Sequence, residues 1–265
     1  MERLDKIVSN AGIASRSETK AYIRAGRVKV NGKVISNEAF KVGENDTITV
    51  DGKNINTAKY RYFMLNKPAG IVSATEDKKE KTVTDILKNE GVKNLFPVGR
   101  LDKETTGLLL ITNDGETGHR LTSPNHNVDK VYEAKVKGIV DENAIKAFKE
   151  GFDFKEFSSK PAVLEILSVD KENEISFTRV TIHEGKFHQV KRMFERVNCE
   201  VIELKRLSMG KLSLDESLKE GEYREPSQKI NIYLFPKPHR INKCSVQIKN
   251  YGLNAIRNTL KSMHK

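Results

Sequence analysis

The sequence predicts an α+β chain in two parts. A small helical and hairpin module comes first, followed by a larger domain built on a mixed, largely antiparallel β-sheet with flanking helices. Three observations carry this prediction. The first 35 residues pass from a helical to an alternating apolar period. From Arg61 to about Gln228, short β-rich runs outnumber helical stretches and several are close enough to be joined by hairpins. The chain has 265 residues, 37% of them hydrophobic, which is enough for one large domain or two with a real core.

Leu4, Ile7, Val8 and Ala11 recur at i, i+3, i+4 and i+7, and Gly12 ends the stripe as a helix C-cap does. Ser15 and Glu18 have capping-box spacing, so a second helix starts there, runs to about Ala25 and stops at Gly26. RVKVNGKVI (Arg27 to Ile35) alternates around Asn31-Gly32, a strong hairpin signal because both turn residues tolerate positive φ. This module is expected over residues 1–50. Residues 51–60 are polar, weakly patterned and read as a linker. The larger domain is expected over 61–228, with strands at YRYFMLN, LLLIT, VYEAKVKG, AVLEIL and ISFTRVTI and a helix near Gln189 to Val197. Residues 229–265 are a basic tail.

Lys and Arg number 47 against 36 Asp and Glu, a net charge of +11. The excess sits at the ends. Residues 1–59 carry 11 basic and 7 acidic side chains, residues 60–232 carry 29 of each, and residues 233–265 carry 7 basic ones and no acidic one. A polyanionic partner follows, with nucleic acid favoured over a membrane surface because no long basic amphipathic helix stands out. No apolar run approaches the roughly 18–20 residues of a membrane span, and Met1 to Asn10 lacks a signal-peptide core. Cys199 and Cys244 form no disulfide framework for a chain this size, which fits a reducing cytoplasm. No glycine-rich phosphate loop precedes a helix, so nucleotide cofactors lack support. His183 and His188 are five apart, the wrong spacing for a helical metal pair, and read as satisfied or exposed histidines.

On the second helix Arg16, Lys20 and Arg24 lie at i, i+4 and i+8, with Arg27 three residues on. They form one basic face, which is either an ordinary solvated surface or a phosphate-tracking one. The pattern from Arg3 to Ile35 as a whole resembles the S-four RNA-binding domain. That resemblance implies RNA binding without fixing a reaction.

Asp102 stands out in the larger domain, set between a Pro/Gly-punctuated approach and an apolar strand. A lone loop aspartate usually caps its own backbone. Its context, GRLDKETTGLLLIT (Gly99 to Thr112), resembles the active-site motif of pseudouridine synthases that act on ribosomal RNA. LNKPAGIVSAT (Leu65 to Thr75), RLTSP (from Arg120), KVYEAKVKG (Lys130 to Gly138), KPAVLEI (Lys160 to Ile166), EGKFHQVKRM (Glu184 to Met193) and GEYRE (Gly221 to Glu225) agree in order. The resemblance implies that Asp102 is the catalytic carboxylate and that Lys191 is the cation beside it, a point charge where many relatives have Arg. It also implies that Tyr132 stacks on the base and that Arg100 holds the flipped nucleotide or fills its place. The reaction breaks the N-glycosidic bond of a uridine, turns the base and rejoins it through carbon 5. Nothing is oxidised or lost, so no cofactor and no metal is implied. The sequence leaves three roles open for the carboxylate: attack on the sugar, addition to the base, or removal of a ribose proton.

KPAVLEI and HQVKRM are similar to the branch acting on 16S rRNA, so the expected partner is ribosomal RNA in an assembling small subunit, with the protein a monomer. The same reaction on 23S rRNA is the nearest alternative. A non-catalytic ribosome-assembly factor of the same fold and a uracil-releasing enzyme are the rivals. Intact GRLD, Tyr132 and Lys191 argue against a mere binder. Residues 233–265 match none of these motifs.

Overall fold

A computed structural model describes residues 1–226 apart from 44, 59, 124 and 125, so the basic tail lies outside the described residues. The first module contains β1 (Glu2–Arg3), α1 (Leu4–Asn10), α2 (Arg16–Arg24), β2 (Val28–Val30), β3 (Lys33–Val34), β4 (Lys41–Val42), β5 (Ile48–Val50) and β6 (Lys53–Asn54). The capping box of α2 is complete: Ser15 N–H donates to Glu18 Oε2 at 2.8 Å, and Glu18 N–H donates to Ser15 Oγ at 3.4 Å. Asn31 and Gly32, at φ 50° and 79°, turn β2 into β3 as their residue types require. Leu4, Ile7 and Val8 of α1 and Ile23 of α2 pack on Val28, Ile48 and Val50 of the sheet in a small core of their own.

Residues 51–54 are not linker. Asp51 and Gly52, at φ 49° and 76°, make a second tight turn, and β6 closes a four-stranded sheet in the order β3-β2-β5-β6. Asp-Gly is itself a hairpin signal, hidden in the sequence by the absence of an apolar run after it.

The larger domain adds β7 (Tyr62–Lys67), α3 (Val83–Ile86), β8 (Phe96–Pro97), β9 (Thr106–Thr112), α4 (Gly115–Thr122), β10 (Lys130–Lys137), α5 (Glu142–Glu150), β11 (Val163–Asp170), β12 (Ile175–Ile182), α6 (Gln189–Glu195), β13 (Glu200–Met209), β14 (Leu212–Ser213) and β15 (Tyr223–Arg224). The main path of the sheet runs β11-β12-β10-β13-β9-β7-β15. Its described pairings are antiparallel except β9 with β13, which run parallel through Thr106–Lys205 and Gly107–Arg206. That short parallel join is the seam between two antiparallel halves. The backbones approach so closely there that a Cβ on Gly107 would stand 2.3 Å from the Arg206 carbonyl oxygen. Buried Leu109, Ile111, Val136, Val180, Met193 and Phe194 fill one continuous core behind the seam.

Candidate active site

The loop leading into β9 carries Asp102 to the seam. Leu101 and Thr105 on either side of it are buried, while the Asp102 side chain stays 33% exposed. Ser73 fixes the near end: its hydroxyl donates to the Leu101 carbonyl at 2.8 Å and accepts from the Leu101 N–H at 3.1 Å. Lys67 fixes the far end. Its side chain is fully buried, and Nζ donates to the carbonyls of Pro68, Lys103 and Thr105, each at 2.9 Å. Burial pushes the Lys67 pKa down to about 8, partly offset by the carboxylates of Glu104, Asp102 and Glu220. Asp102 is thus presented by a loop tied to β7 and to the segment after it. Among the described residues no N–H of that loop donates to its carboxylate, so it is not the self-capping aspartate of an ordinary turn.

A cavity opens over Asp102, and Arg100, Tyr132 and Lys191 line it with Asp102 itself. The structure therefore brings together all four residues that the resemblance assigned to catalysis. Tyr132, 7% exposed on β10, stands opposite Arg206 of β13 and Val180 of β12. Helix α6 buries Val190, Met193 and Phe194 at i, i+3 and i+4, which turns Lys191 out of the core toward the cavity. The start of α6 is pinned by buried Glu184, whose Oε1 accepts from Lys160 N–H at 2.8 Å and from Gln189 Nε2 at 3.1 Å.

Two expectations change. Lys191 lines the cavity, but among the described residues it makes no ion pair with Asp102; the group in range is His188, with Nε2 3.6 Å from Asp102 Oδ1. A carboxylate one-third exposed keeps water around it, so desolvation does not force a lysine onto it. His188, set aside because its spacing from His183 suits no metal, belongs to the site. It holds φ 51° at the N-cap of α6 and makes no side-chain cap there, which leaves its ring free to face Asp102. The signal for it in the sequence was a helix beginning after Lys-Phe-His with no Ser, Thr, Asp or Asn to cap it.

Two carboxylates answer part of the basic face of α2. Arg24 Nη2 lies 2.6 Å from Glu38 Oε1, Lys20 Nζ lies 3.8 Å from Glu38 Oε2, and Arg27 makes a two-pronged pair with Asp51 while its guanidinium covers the Tyr22 ring. Arg16 pairs with no carboxylate among the described residues. The cations of these pairs are exposed while Glu38 is mostly buried, and water and salt screen such surface contacts so that phosphates can displace them.

The RNA pseudouridylate synthase family model matches residues 61–196, which hold the Asp102 loop, Tyr132 and α6. The chain belongs to that family. The S4 domain model matches residues 2–48 of the first module. Ribosomal large subunit pseudouridine synthase B of Bacillus subtilis is 41% identical over 97% of this chain and 100% of its own length. Ribosomal small subunit pseudouridine synthase A of Salmonella typhimurium is 40% identical over 84% of this chain and 95% of its own. The crystal structure of a pseudouridylate synthase superposes with a TM-score of 0.60 at 37% identity, covering 89% of this chain and all of the other. The Bacillus match reaches beyond the sequence motifs, into residues after 232.

Proposed function

We propose that this pseudouridine synthase isomerises one uridine of ribosomal RNA, with Asp102 as the carboxylate that acts at the reacting nucleoside. The observation that carries the assignment is a carboxylate left unused by its own loop, braced on both sides and facing a cavity that Tyr132, Lys191 and Arg100 share. As the bond between N1 and C1′ breaks, positive charge develops on the sugar, and a fixed negative group beside it lowers that barrier. Tyr132 offers a ring face to the extracted base. Lys191 supplies a positive charge for the uracil as it leaves with the bonding electrons. Arg100, at the cavity rim, holds the nucleotide out of its stack.

The first module, with Arg16, Lys20, Arg24 and Arg27, adds sequence-independent affinity and raises the effective concentration of the catalytic domain on the RNA. On this reading the protein works as a monomer in the cytoplasm, on assembling ribosomal particles. KPAVLEI and HQVKRM support 16S rRNA as the substrate. The large-subunit relative, matched over 97% of this chain against 84% for the small-subunit one, supports 23S rRNA as a second reading. Carbodiimide-based pseudouridine mapping of both RNAs tests all of this. One site is expected to vanish when the gene is deleted, to return with the wild-type gene and to stay absent with Asp102→Asn. An unchanged map on deletion, or full rescue by Asp102→Asn, sinks the assignment.

A further inference from the structure

The ring of Phe187 is 68% exposed and lies flat on His188, with centroids 3.8 Å apart and planes 17° from parallel. Single apolar residues on a surface mean little. This one is not isolated, because the plate it makes with His188 borders a second hollow of about 430 Å³ that also reaches the Asp102 loop. Ser73, Ala74, Gly99 and Lys103 form its further walls. Both hollows are lined by Arg100, Leu101, Asp102, Gly185, Lys186 and His188, so they adjoin, and the histidine borders each.

We propose that Phe187 and His188 form a second base-binding subsite, which takes the nucleobase next to the target uridine in the same RNA strand. This rests on the functional reading above. Extracting a uridine strips one face of its neighbour of stacking, and an aromatic face offered to that neighbour offsets the loss. The dimensions suit a nucleobase. The hollow has the size of a small-ligand site, adjoins the first through shared lining residues, and has Lys186 at hand for the phosphate that joins two consecutive nucleotides. Lys103 is already held by Glu80 at 3.0 Å and is not counted for that contact. His188 adopts the left-handed conformation at φ 51° and leaves the cap of α6 unmade, and its ring lines both hollows.

The test uses the full-length enzyme and an RNA fragment carrying the uridine identified by mapping. Phe187→Ala is expected to raise KM about tenfold, with the loss read in KM more than in kcat, and Phe187→Tyr to restore it. An abasic nucleotide beside the target should cost the wild type a similar factor and cost Phe187→Ala no more, since the two changes remove one contact. An unchanged KM for Phe187→Ala, or two losses that multiply, overturns the subsite. Should the wild type make no pseudouridine in any RNA, the functional reading has failed, and the subsite is judged by binding of single-stranded oligouridine carrying one 2-aminopurine. Quenching by the wild type and not by Phe187→Ala supports it, and equal quenching overturns it.

Discussion

Replacing Lys67 by methionine separates what holds the Asp102 loop from what holds the fold. The lysine presents three N–H groups to three carbonyls, a match only the protonated amine provides. Its pKa falls from 10.5 to about 8 on burial, which at 1.36 kcal/mol per unit is a cost of about 3 kcal/mol for keeping the charge inside. The hydrogen bonds return about 1.5–3 kcal/mol each; the variant loses all three, though the Lys103 carbonyl stays paired with Gly70 N–H. The cost offsets part of that gain. Lys67→Met is expected to be only about 0–3 kcal/mol less stable in urea unfolding. Its kcat, however, should fall about 100-fold, as a displacement near 1 Å of a reacting group implies. Release of the carbon-5 hydrogen from tritium-labelled uridine in RNA reads that rate. A kcat within twofold of wild type would refute the bracing role.

The pH dependence gives the same substitution a second readout. Between about pH 8 and 10.5 the unfolded chain keeps a proton on Lys67 that the folded chain has released, so stability rises with pH across that window. Activity moves the other way there, because the neutral amine has one N–H fewer for the loop. Lys130, also pushed down to about 8 by burial and by the Arg206 charge, contributes a similar rise. Lys67→Met should therefore keep about half of the alkaline gain in stability. An identical alkaline slope in variant and wild type would show that Lys67 does not titrate as its burial dictates.

Ser73→Ala removes both contacts to Leu101 and should lower kcat about tenfold while costing about 1–2 kcal/mol, read by the same tritium assay and by urea. Gly107→Ala places a Cβ against the Arg206 backbone at φ 97° and should cost about 3 kcal/mol, a fall in Tm of about 6–12 °C by calorimetry. Arg16→Ala should weaken RNA binding and lower the slope of log affinity against log salt by about 0.7. Lys20→Ala should do less, because Glu38 already faces that lysine.

Whatever depends on neighbours in the chain was legible in the sequence. The capping box at Ser15 and the Asn31-Gly32 turn involve residues at most three apart, and the structure reproduces them. The strands at YRYFMLN, LLLIT, VYEAKVKG, AVLEIL and ISFTRVTI were found for the same reason, while the short β5 was not. Strand β13 was not, since Glu200, Glu203, Lys205 and Arg206 interrupt its apolar pattern. It nevertheless lies at the middle of the sheet, where Arg206 is buried with Nε donating to the Leu108 carbonyl at 2.8 Å. The burial of Lys67 was equally invisible: a lysine reads as surface until the carbonyls that surround it, 36 and 38 positions away, have been brought there by the fold.

Charge shows the same dependence on folding. The basic stripe of α2 looks like an open cationic surface in the sequence, yet Glu38 and Asp51, 14 to 24 residues from the cations they face, pair with three of its four cations. Asp102 goes the opposite way. The nearest cations in the chain are Arg100 and Lys103, but Lys103 turns to Glu80, and the carboxylate faces a histidine and open cavity instead. The fold thus pairs cations with carboxylates on α2 and at Lys103 and, among the described residues, leaves the Asp102 carboxylate at the seam without an ammonium or guanidinium contact. Such a group is available to a cation that arises during reaction, and a ribose losing its base at C1′ is one.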